Sequence, residues 1–195
     1  MTPEQLFLRY AYRCDQASHH RRLTDEDVES VKKAIVGDKA LGDDFLNEKY
    51  PNAYKRVRDI EQRGAVDRKR AVELYFLVEH NLIIEYRLED YKEIAKISPT
   101  LCEFCKVNLA EVTEVVPGDP ISYRIESAKY GRKFQQQGVT GELIDDAKVG
   151  DLIVIHQGWA VKKIDMNHYE GIKNQYWRLP KPDDLEKRLN PRGDV

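Results

Sequence analysis

Three side chains stand out for the chemistry that they could do: the thiols of Cys102 and Cys105 and the imidazole of His156. The two cysteines form a Cys-x-x-Cys pair, a spacing that supplies half of a tetrahedral zinc site or a redox-active dithiol. A closed zinc site needs two further ligands, and the sequence has neither a second such pair nor histidines at finger-like spacing. Zinc binding, a catalytic dithiol and two small buried side chains therefore all stay open for this pair.

His156 ends an apolar run that begins at Leu152, and a histidine in an apolar strand is more often a core or edge residue than a ligand. A second run, from Trp159 to Ile164, follows after Gln157-Gly158. Two runs separated by two residues predict a tight β-hairpin, although Gln-Gly is a weaker turn former than Asn-Gly.

The hairpin is predicted to close a small β-barrel that extends from about Leu101 to Asp165, with the cysteine pair opening its first strand. Apolar and polar residues alternate with period two in residues 107–113 and again in residues 121–127. Residues 117–120, Pro-Gly-Asp-Pro, are a strong turn signal between these runs. Several short strands in a segment of this length are too few for a sandwich, and a closed or partly closed barrel hides their edges. Because the cysteine pair opens a strand and not a helix, the redox interpretation is disfavoured.

The front half is predicted to be helical. Thr2-Pro3 is typical of a helix N-terminus, residues 24–27 resemble a capping box, and Pro51 begins a further helix. A longer apolar pattern from Val66 to Leu82 predicts either one continuous helix or a break near Asn81.

These elements predict an α+β protein in three parts. Residues 1–97 form a helical domain, residues 98–179 form a small OB-like β-barrel with a C-terminal helix, and residues 180–195 form a loose tail. The boundary lies near Pro99, because a proline disfavours helix at the residue before it. Asp165 is a suitable N-cap for the C-terminal helix.

The composition narrows the classes of protein. Lys and Arg number 32 against 34 Asp and Glu, and the formal net charge of -2 disfavours a dedicated nucleic-acid-binding protein. No apolar run approaches the roughly 18 residues of a membrane span, and the first residues lack the build of a secretory signal. Three cysteines in 195 residues do not make a disulfide framework. We therefore expect a cytoplasmic protein that has no membrane partner.

The segment from Gly150 to Asp165, Gly-Asp-Leu-Ile-Val-Ile-His-Gln-Gly-Trp-Ala-Val-Lys-Lys-Ile-Asp, resembles the closing hairpin of the HypC/HupF family of nickel–iron hydrogenase maturation chaperones. Lys148-Val149 also matches the family's approach to this hairpin. Members of the family are small barrels with a trailing helix. They begin with Met-Cys, a few mostly apolar residues and Pro-Gly, followed by a strand that contains Lys-Val; this chain has Leu109-Ala110 in place of the Pro-Gly. The sequence Cys-Lys-Val-Asn-Leu-Ala-Glu-Val, which starts at Cys105, aligns with that opening without a gap.

The resemblance implies a HypC-like barrel and a non-enzymatic chaperone or adaptor. In the family, the cysteine is implicated in holding an Fe(CN)2CO fragment and in docking to a scaffold partner and to the hydrogenase large-subunit precursor. By the resemblance, Cys105 is the candidate iron ligand and docking residue, and Cys102 is an extra thiol or a second ligand. His156, Gly158 and Trp159 would support that site. A soft thiolate suits low-spin iron, and no tightly bound cofactor is implied. Nothing in the sequence resembles a nucleophilic triad, a P-loop or a dinucleotide fingerprint.

Two other functions stay open. One is a single-stranded nucleic-acid-binding barrel of OB type, in which aromatic side chains stack on bases beside cationic ones. Its residues would be Tyr123, Arg124, Lys129, Tyr130, Arg132, Lys133, Phe134 and Trp159. The other is a metal or redox protein centred on Cys102 and Cys105, with zinc as the metal.

Overall fold

The structure, a computed structural model, describes residues 1–12, 23–37, 39–88, 99–126 and 137–190. The chain combines helices with a closed five-stranded β-barrel, which confirms the α+β class and the barrel expected from the sequence. Its contacts divide it into two compact units, one formed by Met1–Cys105 with Gly171–Val195 and the other by Lys106–Glu170. Within the described residues, no helix has the length and apolar character that crossing a membrane requires.

The first unit is built from helices. In chain order they are α1 (Pro3–Ala11), α2 (Asp25–Val36), α3 (Asp43–Lys49), α4 (Pro51–Gly64), α5 (Arg68–Leu74), the π-turn π1 (Tyr75–Glu79), α6 (His80–Glu85) and α7 (Pro99–Cys105). Residues 171–178 of α8 (Met166–Arg178) and all of α9 (Asp183–Leu189) belong to the same unit.

Local capping signals begin the first helices as predicted, and a glycine ends the second. At the start of α1, the Thr2 hydroxyl accepts a hydrogen bond from the Gln5 amide at 3.2 Å, and the Gln5 side chain accepts one from the Thr2 amide at 2.8 Å. Thr24 and Asp27 form the same reciprocal pair at the start of α2. Gly37 ends α2 with φ of 94°, a left-handed conformation that glycine adopts without a steric penalty.

Aromatic side chains form the core between α1, α4 and π1. The Phe7 ring contacts the rings of Tyr50, Tyr54 and Phe76 edge-on, at centroid distances of 5.7, 5.9 and 5.5 Å. Tyr10 stacks on Phe76 at 4.8 Å. Aromatic pairs in these geometries contribute about 0.5–1.5 kcal/mol each beyond the area that they bury, so this cluster fixes α1 against the rest of the unit.

The apolar pattern from Val66 to Leu82 becomes helical at Arg68, and the helix continues past Asn81. Its one irregularity comes earlier, at π1, where the His80 amide donates to the Tyr75 carbonyl five residues back. All five side chains of π1 are buried. Such π-turns are rare, occur mostly as single turns within α-helices, and are frequent at functional sites.

The second unit is the barrel, made of β1 (Asn108–Val116), β2 (Ser122–Glu126), β3 (Gln137–Thr140), β4 (Leu152–His156) and β5 (Trp159–Lys163). The strand order is β1-β2-β3-β5-β4, and β1 closes the barrel by pairing with both β2 and β4. β3 and β5 run parallel, whereas the other pairs are antiparallel. The turn predicted at residues 117–120 joins β1 to β2, and the predicted two-residue hairpin joins β4 to β5.

The barrel interior is apolar and includes one tyrosine, Tyr123, which is fully buried. Its hydroxyl donates to the Ile144 carbonyl at 2.8 Å, which satisfies the polar end of the ring. Gly141 lies against this ring: a Cβ there would be 2.7 Å from Tyr123 Cε2, 2.6 Å from Ile121 Cγ2 and 2.9 Å from the Ile144 oxygen. Real Cβ atoms do not approach so closely, so only glycine fits at position 141.

The cysteine pair lies in a helix and not, as the sequence analysis expected, at the start of a strand. α7 begins at Pro99 and ends at Cys105, and β1 begins only at Asn108. Proline is well suited to the first position of a helix, because the backbone N–H that it lacks has no partner there. Pro99 therefore starts a helix where the sequence analysis expected the approach to a strand.

The segment from Pro180 onward, expected to be a loose tail, contains α9. Leu185 of α9 is fully buried. Asp165, expected to cap α8, accepts a hydrogen bond from the His168 amide at 2.8 Å, so this prediction is confirmed.

We expect Gly141→Ala to destabilise the protein by about 1–3 kcal/mol, the range for inserting a methyl group into a packed core. The measurement is the free energy of unfolding in urea. Gly171→Ala is the matched control: it lies in α8 with nothing within 4 Å of its Cβ position, and alanine has the higher helix propensity. Equal stabilities of the two variants would contradict the close packing at Gly141.

Candidate functional site

Both thiols of the Cys-x-x-Cys pair are buried. Cys102 and Cys105 have exposed fractions of 7% and 0%. Because residues three apart lie on one face of a helix, the two thiols share a face of α7. Glu103 and Phe104 between them are exposed. Access to either thiol therefore requires a local opening of α7.

His156 and Trp159 face each other across the ends of β4 and β5. The turn between them has φ of 51° at Gln157 and 84° at Gly158. Positive φ at both positions is the signature of a type I′ turn, whose twist matches that of the flanking strands. The imidazole of His156 is buried, with an exposed fraction of 3%. The Trp159 indole donates to Glu142 at 3.2 Å.

The predicted site residues fall into two groups. Cys102 and Cys105 belong to the helical unit, whereas His156, Gly158 and Trp159 belong to the barrel unit. Each group is assembled within its own unit by one local element, α7 for the thiols and the β4–β5 hairpin for the others.

The donor set available for a metal is small. Among the described residues, no group of three or more His, Cys, Asp or Glu side chains is arranged to hold a metal ion. Tetrahedral zinc requires four such ligands in a structural site, and the cysteine pair supplies two.

The residues of the nucleic-acid alternative are only partly described. Tyr123, expected to stack on a base, is instead a buried core residue, so this expectation is wrong: its ring already packs inside the barrel. Arg124 is exposed on β2 and pairs with Glu114 of β1 at 2.8 Å. Trp159 is partly exposed. The remaining candidates lie outside the described residues, namely Lys129, Tyr130, Arg132, Lys133 and Phe134.

The helical unit contains a buried carboxylate, that of Glu79, which the sequence analysis does not predict. Glu79, the last residue of π1, has an exposed fraction of 0%. Its Oε2 accepts hydrogen bonds from Arg63 of α4 and, at 2.9 Å, from the Tyr176 hydroxyl of α8. Arg56 precedes Arg63 by seven residues in the same helix, and its Nη1 lies 3.9 Å from the Glu79 Oε1. Burying a charge is costly unless it is paired and hydrogen-bonded, and these groups supply that pairing.

The same arginines hold residues 179–190, which we name the C-terminal strap. Both terminal nitrogens of Arg56 donate to the Asp184 carboxylate, at 3.2 Å for the Nη1 bond. Arg63 donates to the Pro180 carbonyl. Lys181 donates to the Tyr176 carbonyl at 2.8 Å, and its ammonium lies 4.7 Å from the centroid of the Tyr176 ring.

The pKa values of the two carboxyl groups in this cluster are shifted in opposite directions. Burial raises the pKa of Glu79 above its ordinary value, against the opposing charge of Arg63. Burial likewise raises the pKa of Tyr176. The hydrogen bonds from Arg56 lower the pKa of Asp184. The contribution of Glu79 to the free energy of unfolding is therefore lost as pH rises through its raised pKa. The contribution of Asp184 is lost as pH falls through its lowered pKa.

The strap is fixed by few groups. Leu185 is the only side chain of α9 that is buried, and full burial of a leucine contributes about 1.5–3 kcal/mol. Ordering the backbone costs about 1–2 kcal/mol per residue, and a helix of seven residues is not stable alone. Leu179 also lies against α4, since its Cδ1 is 3.1 Å from the Cβ position of Gly64. The two leucines and the charged contacts with Arg56 and Arg63 therefore hold the strap together.

One signal in the sequence could have found this cluster. Glu79, His80 and Asn81 interrupt an otherwise apolar run from Leu74 to Ile84. A carboxylate on the apolar face of a helix needs a cation, and Arg56 and Arg63 stand seven residues apart on the preceding helix, on one face of it. Nothing local, however, identifies Tyr176 or Asp184 as partners.

Comparison with known proteins adds no relative: no family model, no curated protein and no solved structure matches this chain.

We expect Arg63→Ala to destabilise the protein by about 3–5 kcal/mol, the cost of removing one partner from a buried ion pair. The loss should be smaller at pH 5 than at pH 8, because burial raises the pKa of Glu79 and its protonated form needs no cation. Urea unfolding at both pH values measures this.

The matched control for Arg63 is Arg58→Ala in the same helix. Arg58 is half-exposed and pairs with Glu61 at 3.2 Å, so its loss should change stability by at most about 0.5 kcal/mol. If Arg63→Ala were as stable as Arg58→Ala at pH 8, the pairing described for Glu79 would be wrong.

Proposed function

We propose that this protein is a non-enzymatic chaperone or adaptor whose barrel is of the OB type and resembles the HypC/HupF hydrogenase maturation chaperones. The observation that carries the proposal is the barrel itself, a closed order β1-β2-β3-β5-β4 followed directly by a helix. Five strands closed in this way are typical of small Greek-key barrels of the OB type.

The family-like motif coincides with the closing elements of this barrel. Gly150 has φ of 89°, and the Gly150 amide donates to Val112 of β1 at 2.9 Å, so the start of the motif is fixed to the first strand. The His156–Trp159 hairpin forms its middle. Asp165, its last residue, caps α8, the counterpart of the family's trailing helix. The residues of the motif therefore form consecutive elements of the barrel, and this arrangement supports the proposal in addition to the sequence resemblance.

Cys105 is the proposed docking residue. It lies three residues before β1, where the resemblance expects a functional cysteine ahead of a strand. In the family this cysteine opens the chain, whereas here it ends a helix and is fully buried. The proposed mechanism therefore includes an opening of α7 that exposes the thiol to a partner or to an iron fragment.

The chemistry at the opened thiol would be ligation and not catalysis. A deprotonated cysteine is a soft ligand suited to low-spin iron, and Cys102 on the same face of α7 is available as a second ligand. The iron fragment is cargo in this proposal. The partners would be a maturation scaffold and the precursor of the hydrogenase large subunit.

The proposal is tested by pull-down of a maturation scaffold and of a large-subunit precursor. We expect the wild type to capture both and Cys105→Ala to lose capture, because the docking thiol is gone. Phe104→Ala, which changes an exposed side chain of the same helix, is the matched control and should retain capture. Thermal unfolding of each variant checks that the fold is intact.

Two outcomes would contradict this proposal. Undiminished capture by Cys105→Ala would remove that residue from the docking site. Failure of the wild type to capture either partner would remove the proposed function.

The nucleic-acid alternative gives a separate prediction. We expect the protein not to bind single-stranded DNA or RNA, even at low salt. The reason is that Arg124 is paired with Glu114 and the net charge is -2. Fluorescence anisotropy of labelled oligonucleotides at about 20 mM and about 200 mM salt measures this, because charge screening differs strongly between these concentrations. Binding that weakens steeply with added salt would favour the nucleic-acid function.

A further inference from the structure

The contacts that hold the C-terminal strap are those that an aspartate-containing peptide would make. Asp184 receives two hydrogen bonds from Arg56, and the Pro180 carbonyl receives one from Arg63. A bidentate bond from guanidinium to carboxylate is strong and directional. The side chain of Asp184 stays 44% exposed while that of Arg56 is 10% exposed. The arginine is therefore a built part of the helical unit, and the aspartate is a surface ligand on it.

The strap can leave without unfolding the helical unit. Its helix α9 has seven residues and buries only Leu185. The aromatic core of Phe7, Tyr10 and Phe76 contains no residue of the strap. Segments with few buried apolar groups open locally, well below the free energy of global unfolding.

Departure of the strap would leave a cationic site behind it. Glu79 is already engaged by Arg63 and by the Tyr176 hydroxyl, and its distance to Arg56 is 3.9 Å. Without Asp184, the Arg56 guanidinium would lie beside a carboxylate that is shared with a second arginine. Such a guanidinium favours a new carboxylate in a fork-like geometry.

We propose that the C-terminal strap is a removable intramolecular ligand, and that the Arg56–Arg63 face beneath it is a binding site for an aspartate- and leucine-containing segment of a partner protein. The strap keeps this site closed until a partner segment replaces it. This proposal does not depend on hydrogenase maturation, since it involves α4, π1 and the strap and neither cysteine.

The test uses the full chain and a labelled peptide with the sequence of residues 180–190, Pro-Lys-Pro-Asp-Asp-Leu-Glu-Lys-Arg-Leu-Asn. We expect Asp184→Asn with Leu185→Ala, which weakens the chain's own strap, to bind this peptide about tenfold or more tighter than the wild type does. The reason is that the apparent affinity scales with the fraction of open sites. Fluorescence anisotropy measures both affinities.

Two controls make the test specific. Adding Arg56→Met to the weakened chain should abolish peptide binding, and a peptide with asparagine in place of the second aspartate should bind weakly. Equal binding by the wild type and the weakened chain, no binding by the weakened chain, or binding that survives Arg56→Met would each overturn the proposal.

Hydrogen exchange on the wild type tests the opening without any variant. The amides of Leu185, Glu186 and Asn190 donate within the strap, and the Tyr54 amide donates to the Tyr50 carbonyl in α4. We expect the strap amides to exchange much faster than Tyr54, as local opening requires. Exchange of both sets at one common, slow rate would show that the strap opens only with global unfolding, and would overturn the proposal.

Discussion

A carboxylate withdrawn from water, that of Glu79, determines how the helical unit is put together. Its negative charge can stay in the interior only while donors surround it, and those donors come from α4 and α8. The cation that neutralises it, Arg63, also binds the strap, and so does its neighbour Arg56. One buried charge thus fixes the relative positions of three segments that are far apart in sequence.

The barrel is organised on a different principle. Its interior is apolar, and the polar end of Tyr123 is satisfied by a single backbone carbonyl. Which substitutions the barrel accepts depends on packing and not on charge pairing, as the lack of space for a Cβ atom at Gly141 illustrates. A chain that combines the two principles should respond differently in each unit to pH and to core substitution. The resemblance to maturation chaperones concerns the apolar unit, whereas the proposed peptide site belongs to the charged one.

Sequence reasoning succeeded where a structure depends on adjacent residues. The capping boxes at Thr2 and Thr24, the cap at Asp165 and the Gln157-Gly158 turn each involve groups within three positions of one another. It failed where the determining contact is distant: the Tyr176–Glu79 bond spans 97 residues. The Arg56–Asp184 bond spans 128.

Two failures at the candidate site have more local causes. A proline is suited to the first position of a helix as well as to the boundary after one, so Pro99 starts a helix that contains the cysteine pair where a strand is expected. The alternation of residues 121–127 located β2 but could not show which face of it lies inside the barrel, so Tyr123 was taken for a surface platform.

The π-turn of residues 75–79 has a consequence for the phase of the helix that contains it. Closing a hydrogen bond five residues back, as His80 does to Tyr75, adds one residue to the turn. In an α-helix one residue corresponds to a rotation of about 100°. The apolar stripe of α5 and that of α6 are therefore out of register with each other by about that angle, and a single helical wheel drawn through residues 68–85 would misassign one of them. Deleting one residue from π1 would restore a uniform helix, and in doing so would turn Glu79 away from its arginines.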